Sequence, residues 1–359
     1  MRNHSLLFWV LLFVDGVFGS DETFVSVSVM KGDTVTLHTY VSELQSDDII
    51  EWMSKDGVFI AKIENKKISE KYVPEKRFQG RLELDPKTGS LTIRNITAEH
   101  DGNYKLDIRG QQLISKNFSV TVHDDVESVS VTEGDSVTLH TNVKVQRDDQ
   151  LFWKFEDQDI PIDRLNSAGD SGWSNAHLSN KTGDLTIKTI QMKQSGVYKV
   201  EITTIGMILH RKFKMTVDGV KNVSVKKGDS VTLRTGVIDI QSYDLILWKF
   251  ENHLIAEINK ETNKFLLYDS SDKRFKDRLQ PNEKTGSLTI SDSETTDSGV
   301  YHLNMSCSTY TLQRTISVTV KGLSVTDIIL ISVSTALVIA VVLAIYLYCS
   351  SRQRRDRVL

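Results

Sequence analysis

The stretch GDTVTLHT, residues 32–39, occurs three times in the chain with few changes. It returns as GDSVTLHT at residues 134–141 and as GDSVTLRT at residues 228–235. In each copy a Gly-Asp turn precedes alternating apolar and polar residues, the pattern of a strand with one buried face. The first glycines lie 102 and then 94 residues apart, so each copy begins a unit of domain size. The sequence therefore predicts three similar β domains.

Four further landmarks follow each copy in the same order. A Trp lies in an apolar strand, a Lys-Thr-Gly turn leads into a Leu-Thr-Ile strand, a Gly-x-Tyr strand comes next, and a strand of alternating residues closes the unit. We predict that the Trp and Tyr of every unit belong to the core: Trp52, Tyr104, Trp153, Tyr198, Trp248 and Tyr301. No long amphipathic helix competes with this all-β pattern.

These landmarks, in this order, resemble variable-type immunoglobulin domains. The resemblance assigns them to strands B, C, E and F and makes the three tyrosines tyrosine corners. The predicted fold class is all-β, with three tandem V-type β-sandwiches and one transmembrane helix. The domains are predicted at residues 20–123, 124–218 and 219–321, which we call the first, second and third repeats. The Ile-x-Trp strand and RFQGRL, residues 77–82, are also similar to the N-terminal domain of the SLAM-related lymphocyte adhesion receptors.

The resemblance has one consistent departure, because the two cysteines that join the sheets of such domains are missing. Threonine stands at the first cysteine position of each repeat and Leu or Val at the second: Thr39 and Leu106, Thr141 and Val200, Thr235 and Leu303. A bridge closing a loop of about 67 residues is worth roughly 4 kcal/mol in the chain-entropy model. Packing must therefore replace it in every repeat. The pattern of the family also predicts a structural ion pair between Arg278 and Asp297 in the third repeat. At the equivalent positions of the first repeat, Arg81 faces His100.

Two apolar segments flank the repeats. Residues 1–19 have the form of a secretory signal peptide, with cleavage expected after Gly19 or Ser20. Residues 328–349 form an uncharged run of 22 residues, about 33 Å long as a helix, which is enough to cross a bilayer. Four arginines follow in the tail at 350–359, so the positive-inside rule places that tail in the cytosol. We expect a single-pass type I protein of the plasma membrane, with its N-terminus extracellular and Cys349 a palmitoylation candidate.

The sequence offers no support for catalysis. The motif GDSG at residues 169–172 resembles a serine-protease nucleophile, but no His and acid accompany Ser171 in the required pattern. The nine histidines lack metal-ligand spacing, so no metal site is predicted. A net charge of −3 gives no reason to expect nucleic-acid binding, and no motif indicates a cofactor or a small-molecule substrate. We therefore predict that the protein is not an enzyme and has no cofactor.

Several surface residues are candidates for modification. Five Asn-x-Ser/Thr tripeptides are glycosylation acceptors if they are exposed, namely Asn95, Asn117, Asn180, Asn222 and Asn304. Cys307 is the lone cysteine between the two apolar segments. It is either a free thiol or the site of an intermolecular disulfide.

The resemblance implies that a partner binds the G-F-C-C′ sheet face of the first repeat. With Trp52, Tyr104 and Leu106 inward, alternation turns one set of residues outward. That predicted contact set is Glu51, Met53, Lys62, Glu64, Lys105, Asp107 and Arg109. One hypothesis is a receptor for cell adhesion or immune recognition that binds another cell-surface Ig-like protein, homophilically or heterophilically. The other is an accessory subunit that associates in cis with a signalling receptor or channel.

Overall fold

The computed structural model describes residues 24–69, 76–161, 173–219, 222–237, 239–262, 264–268, 274–322 and 325–355. The predicted signal peptide at 1–19 and the GDSG motif at 169–172 lie outside the described residues. The chain divides into two compact units. Unit 1 contains residues 1–124 together with 203–210, and unit 2 contains residues 125–202 and 211–359.

The described part of the first repeat, in unit 1, contains nine strands. They are β1 (Phe24–Met30), β2 (Val35–Leu37), β3 (Ile49–Met53), β4 (Phe59–Glu64), β5 (Lys67–Ile68), β6 (Leu82–Leu84), β7 (Leu91–Ile93), β8 (Gly102–Arg109) and β9 (Leu113–His123). The larger sheet has the order β1-β9-β8-β3-β4-β5, and the smaller sheet has the order β2-β7-β6. Strand β1 runs parallel to β9, whereas β9, β8, β3 and β4 pair antiparallel. Single 3₁₀ turns lie at Lys76–Phe78 and Ala98–His100.

The two sheets of the first repeat enclose one apolar core. Trp52 and Phe118 lie at its centre, fully buried, with ring centroids 5.4 Å apart. Tyr104 and Leu106 are buried beside them. Two large aromatic rings in contact dominate the stability of a small core, since each removes a large apolar area from water.

The second repeat contributes eight strands to the described residues. They are β10 (Glu127–Thr132), β11 (Ser136–Leu139), β12 (Gln150–Phe155), β13 (Gln158–Asp159), β14 (Ala176–Leu178), β15 (Leu185–Ile187), β16 (Gly196–Thr203) and β17 (Met207–Asp218). One sheet has the order β13-β12-β16-β17, with β10 parallel to β17, and β14-β15-β11 lie together in another. Trp153 and Tyr198 are fully buried. A 3₁₀ turn at Met192–Gln194 precedes β16.

The third repeat adds nine strands in unit 2. They are β18 (Val223–Lys226), β19 (Val231–Leu233), β20 (Leu245–Phe250), β21 (His253–Asn259), β22 (Lys264–Leu267), β23 (Leu279–Pro281), β24 (Leu288–Ile290), β25 (Gly299–Ser306) and β26 (Tyr310–Lys321). One sheet has the order β26-β25-β20-β21-β22, with β18 parallel to β26, and the other is β19-β24-β23. A 3₁₀ turn at Thr295–Asp297 precedes β25. Trp248 and Tyr301 are fully buried.

In each repeat the threonine at the first cysteine position makes the same hydrogen bond. The buried Thr39 donates its hydroxyl to the Thr88 carbonyl at 2.7 Å, and Thr235 donates to Thr285 at 2.6 Å. Thr141 makes the equivalent bond to Thr182. The acceptors are the middle residues of the three Lys-Thr-Gly turns. The threonines therefore satisfy their hydroxyls inside the core, as buried polar groups must.

The Lys-Thr-Gly turns also hold the core tryptophans. Trp52 donates its indole N–H to the Gly89 carbonyl at 2.9 Å, and Trp153 and Trp248 donate to Gly183 and Gly286 at the same distance. Gly89 has φ +74°, and a Cβ there would lie 2.3 Å from a methyl carbon of Ile50. Glycine is required at this turn both by the left-handed backbone and by the lack of space.

The predicted tyrosine corners are present in all three repeats. Tyr104 donates to the His100 carbonyl at 2.7 Å. Tyr198 and Tyr301 donate to the carbonyls of Gln194 and Asp297 at 2.8 Å. Burial raises the pKa of both Tyr198 and Tyr301, because an apolar environment disfavours the phenolate.

The predicted ion pair of the third repeat is confirmed. Arg278 binds Asp297 through two parallel bonds, Nη1 to Oδ2 at 2.7 Å and Nη2 to Oδ1 at 2.9 Å. These bonds raise the pKa of the Arg278 guanidinium. In the first repeat Arg81 instead donates to the Asn95 carbonyl, and His100 Nε2 lies 2.7 Å from the Arg77 carbonyl oxygen.

Within unit 2, a strand of the second repeat pairs with a strand of the third. β11 pairs antiparallel with β15 on one side and with the first residues of β26 on the other. Arg314 Nε lies 2.9 Å from Asp135 Oδ2, and both side chains are buried. Burial raises the pKa of the Asp135 carboxyl, and the Arg314 charge opposes that shift. Asp135 is the Asp of the repeated Gly-Asp turn, and the sequence did not predict this second ion pair.

Helix α1 runs from Val325 to Arg355 and includes the residues predicted to span the membrane. Its side chains are described at Ile329 and at residues 332–346. Among the residues that the structure describes, no helix has the length and apolar character needed to cross a bilayer. The span at 328–349 stays a prediction, and so does the membrane topology.

Candidate partner-binding face

The outward side of the larger sheet in the first repeat carries all seven predicted contact residues. Strand pairing aligns Glu51 with Asp107 on one side and with Lys62 on the other, while Met53 lies opposite Lys105. Residues directly opposite each other in a sheet point to the same face. We call this surface the charged face and define it by Glu51, Met53, Lys62, Glu64, Lys105, Asp107 and Arg109.

Glu51 lies at the centre of the charged face and is covered by cations. Lys62 Nζ lies 3.4 Å from its Oε1, and Arg109 Nη2 lies 3.0 Å from its Oε2. The Glu51 side chain is only 9% exposed. Its Oε2 atom is buried and accepts no well-directed hydrogen bond from the described residues. A buried carboxylate oxygen of this kind is costly unless a donor reaches it.

Asp107 forms a second buried acid beside Glu51. Its side chain is 10% exposed, accepts a hydrogen bond from the Ser115 hydroxyl, and lies 3.4 Å from Lys105 Nζ. The alternation in the sequence turned Asp107 and Glu51 outward but did not predict that both would be covered. Neighbouring side chains cover both carboxylates, so Glu51 and Asp107 are not the accessible part of the charged face.

The accessible charges of the face lie on different strands. Arg109 and Lys105 on β8 keep 58% and 46% of their side chains exposed, and Glu64 on β4 keeps 49%. Lys62 links the two sides, since it lies 3.4 Å from both Glu51 and Glu64. The face is therefore cationic along β8 and anionic at the outer end of β4. Exposed charges of both signs in fixed positions select partners by complementarity and speed association.

Exposed apolar side chains lie among these charges. One row crosses five strands in register, from Phe24 on β1 through Asn117, Lys105 and Met53 to Phe59 on β4. Phe24 and Phe59, at the two ends of this row, are exposed, and Leu113, opposite Arg109, is the most exposed apolar residue of the face. Aromatic anchors beside charged groups are typical of protein interfaces.

Phe24, Phe59 and Leu113 are not among the contact residues that the sequence predicts. A signal for Leu113 was present, because alternation back from the buried Phe118 turns residues 117, 115 and 113 outward. Phe59 carried no such signal. A register shift between Trp52 and Met53 places it opposite Met53, and periodicity alone does not reveal a bulge.

The structure places the remaining predicted site residues as follows. Asn95, Asn180 and Asn222 are exposed, whereas Asn117 and Asn304 are half-buried. The Oδ1 atom of Asn304 is buried and has no hydrogen-bond partner among the described residues. The Cys307 thiol is free and half-buried. Cys349 lies in α1, and its side chain is not described.

Family models match the first two repeats. An immunoglobulin V-set domain model matches residues 22–123, and an immunoglobulin I-set domain model matches residues 120–217. Together the matches cover more than half of the chain. The chain belongs to the immunoglobulin superfamily. The sequence indicates a V-type domain for the second repeat, whereas the family model that matches it is I-set. The comparison with curated proteins found no match.

Solved structures of immunoglobulin-like proteins are similar to this chain at low identity. The Drosophila OTK extracellular domains 3–5 are 14% identical, with 84% of this chain and 98% of that chain covered and a TM-score of 0.21. Murine CEACAM1b is 20% identical, with 53% and 95% covered and a TM-score of 0.22. The first Ig-like domain of human CD48 is 21% identical, with 29% and 83% covered and a TM-score of 0.26.

Proposed function

We propose that this protein is a single-pass type I receptor of the cell surface that acts in cell adhesion or immune recognition. It binds another Ig-like protein through the charged face of its first repeat. The observation that carries the proposal is the construction of that face, in which two covered acids hold exposed cations beside exposed aromatic residues. A sheet face that served only to meet water would not need buried carboxylates at its centre.

The energetics of the face favour a specific and reversible contact. Glu51 and Asp107 are held by Lys62, Arg109, Lys105 and Ser115, so the cations are preorganised before a partner arrives. Preorganisation lowers the entropy lost on binding. The exposed charges set orientation and association rate, while Phe59 supplies apolar area at the β4 end of the row.

The proposed topology rests on the two apolar segments of the sequence. Removal of residues 1–19 and insertion of residues 328–349 would place the three repeats outside the cell, with the first repeat distal to the membrane. The tail at 350–359 contains no Tyr, so it offers no site for tyrosine phosphorylation. The function we propose lies in binding.

A cell-aggregation assay tests the proposal. Cells that express the full chain are mixed with dye-labelled cells that lack it, and Arg109→Glu is compared with Arg94→Glu. Arg94 is the matched control, because it is also an exposed arginine paired with a carboxylate, that of Glu83 on the smaller sheet. We expect Arg109→Glu to reduce clumping at least about tenfold, as loss of about 1.4 kcal/mol of binding energy would do. Arg94→Glu should leave clumping unchanged at equal surface expression.

The possible results separate adhesion from the alternative function. Clumping among expressing cells alone indicates a homophilic contact, and mixed clumps indicate a heterophilic one. If Arg109→Glu and Arg94→Glu clump equally, the charged face is not the binding site. If no cell population clumps with the wild-type chain, and a stable membrane complex is instead purified from the same cells, the chain acts as an accessory subunit in cis.

A further inference from the structure

Asn117 lies on the outer side of the same sheet as the charged face, directly beside Lys105. Strand pairing sets it opposite Lys105 on β8 and opposite Phe24 on β1. Its neighbour Phe118 is fully buried, so Asn117 points to the outer side of the sheet. The Asn117 side chain is half-buried, and no described residue forms a hydrogen bond with its amide. The amide is thus partly exposed, and no residue in the described part of the chain engages it.

The two residues that follow complete an acceptor sequence in a suitable geometry. Ser119 lies two positions along β9, on the same side of the sheet as Asn117 and also partly exposed. Both side chains that define an acceptor site are therefore on one surface of one strand. Asn304 differs, because its Oδ1 atom is buried in the sheet of the third repeat.

We propose that Asn117 carries an N-linked oligosaccharide, which shields the β1–β9 side of the charged face and confines the partner to the β3–β4 side. This inference rests on the proposed function, both for the extracellular location and for the docking face. The partner then contacts Glu64, Phe59 and the Arg109 guanidinium, which extends to Glu51 on β3. Lys105 and Phe24, each one strand away from Asn117, lie beside or beneath the glycan and make no contact.

The spacing of the strands decides which residues are shielded. Neighbouring strands are about 4.8 Å apart, so Lys105 is one strand and Met53 is two strands from Asn117, or about 5 and 10 Å. Phe59 on β4 is three strands away, or about 14 Å, and Glu64 is about 20 Å away once its displacement along the strand is included. A bulky hydrophilic group at Asn117 covers the nearer residues and leaves the farther ones open.

The same glycan covers one exposed apolar residue. Phe24 is 44% exposed and lies directly opposite Asn117, one strand or about 5 Å away on β1. An oligosaccharide rooted on β9 would cover this ring, which makes the β1–β9 side unavailable to partners.

The first test measures occupancy and needs no binding partner. The full chain is expressed in mammalian cells and purified, and its peptides are analysed by mass spectrometry before and after enzymatic glycan release. Release converts a glycosylated Asn to Asp, so we expect the Asn117 peptide to carry a glycan before treatment and Asp after it. A predominantly unmodified Asn117 would overturn the proposal, whatever the adhesion assay shows.

The second test measures shielding at single residues. Amine-reactive labelling of Lys105 is compared between the wild-type chain and Asn117→Gln, with Asn95→Gln as the matched control that removes an acceptor on an exposed turn. We expect Lys105 to react several-fold faster in Asn117→Gln and at the wild-type rate in Asn95→Gln. Equal Lys105 labelling in all three proteins would show that the glycan does not cover the face.

The third test places the partner. In the aggregation assay with glycosylated protein, Glu64→Lys should abolish clumping, while Phe24→Asp should leave it intact. If Phe24→Asp is as damaging as Glu64→Lys, the partner docks on the β1–β9 side and this inference fails while the proposed function stands. If neither variant changes clumping, the proposed docking face itself fails, although the occupancy and shielding results remain valid.

Discussion

The first and third repeats have the same interior and different outer faces. Inside, Trp52 and Trp248 each donate an indole N–H to the glycine of a Lys-Thr-Gly turn at 2.9 Å. Outside, the positions that pair across the central strands carry unrelated chemistry. Where the first repeat has Glu51 opposite Asp107, the third has Leu247 opposite Asn304.

The difference extends to the neighbouring strand. Lys62 covers Glu51 in the first repeat, whereas Glu257 lies opposite Leu247 in the third and accepts a hydrogen bond from Tyr268. The third repeat therefore lacks a buried acid under exposed cations at these positions. An immunoglobulin sandwich needs its interior contacts in order to fold, whereas its outward positions are free to vary, so differences in binding arise on the outer face.

The largest expected effect comes from breaking the shared interior. Tyr104→Ala removes a buried ring and its bond to the His100 carbonyl, and we expect it to cost about 3–5 kcal/mol, enough to unfold the first repeat. Tyr301→Ala should cost a similar amount in the third repeat. Thermal or denaturant unfolding of the purified ectodomain measures both.

Tyr104→Phe is the control for that comparison. It keeps the ring and loses only the hydroxyl, so we expect a cost of about 1 kcal/mol. Near-wild-type melting of Tyr104→Ala would contradict the assignment of this residue to the core of the first repeat.

The next effect separates the two repeats at the corner before the tyrosine strand. Arg278→Ala would leave the fully buried Asp297 without its bidentate partner. An unpaired buried carboxylate is strongly destabilising, and we expect a loss of about 3 kcal/mol in the third repeat. Arg81→Ala in the first repeat should cost only about 1 kcal/mol, because Arg81 donates to a backbone carbonyl and covers no buried acid.

Denaturant unfolding curves of the two variants make this test, with Lys276→Ala as a control for loss of an exposed cation near the same corner. Equal costs for Arg278→Ala and Arg81→Ala would mean that the bidentate pair contributes no more than an ordinary hydrogen bond. The pair would then not be a special requirement of the third repeat.

Much of this fold was predictable because its determinants recur locally in the sequence. The Gly-Asp turn, the Trp, the Lys-Thr-Gly turn and the Tyr each lie in a short motif, and alternation fixes which side chains are buried. The ion pair of Arg278 and Asp297 was also predictable, since both partners occupy family positions. Motifs of this kind identify core residues, because a core side chain is fully surrounded by its own domain.

The features that escaped prediction depend on contacts between distant segments. Pairing of β11 with β26 brings Asp135 to Arg314 across 179 positions, and no local pattern signals it. Alternation turned Glu51 outward but could not reveal that Lys62 and Arg109 would cover it from neighbouring strands. The hydrogen bond of Thr39 to Thr88 was likewise not predictable, because a Thr at a cysteine position indicates only that the disulfide is absent.

The smallest expected effect tests whether the outer faces are interchangeable. Glu51→Leu places the residue of the third repeat in the first, and replacing a buried ion pair with an apolar side chain is often close to neutral. We expect the free energy of unfolding to change by less than about 1 kcal/mol, since Lys62 keeps Glu64 as a partner and Arg109 stays in solvent.

The reciprocal change, Leu247→Glu, should not be neutral. It sets a half-buried carboxylate directly opposite Glu257, with Asn304 on its other side, so no cation in these pairings can compensate it. Like charges facing each other across a sheet are destabilising, and partial burial adds to the cost, so we expect a loss of about 1–2 kcal/mol. Denaturant unfolding of both variants measures the asymmetry. If the two costs are equal, Glu51 is not specifically accommodated by its cations; if they differ as expected, Glu51→Leu becomes a fold-preserving variant for the aggregation assay.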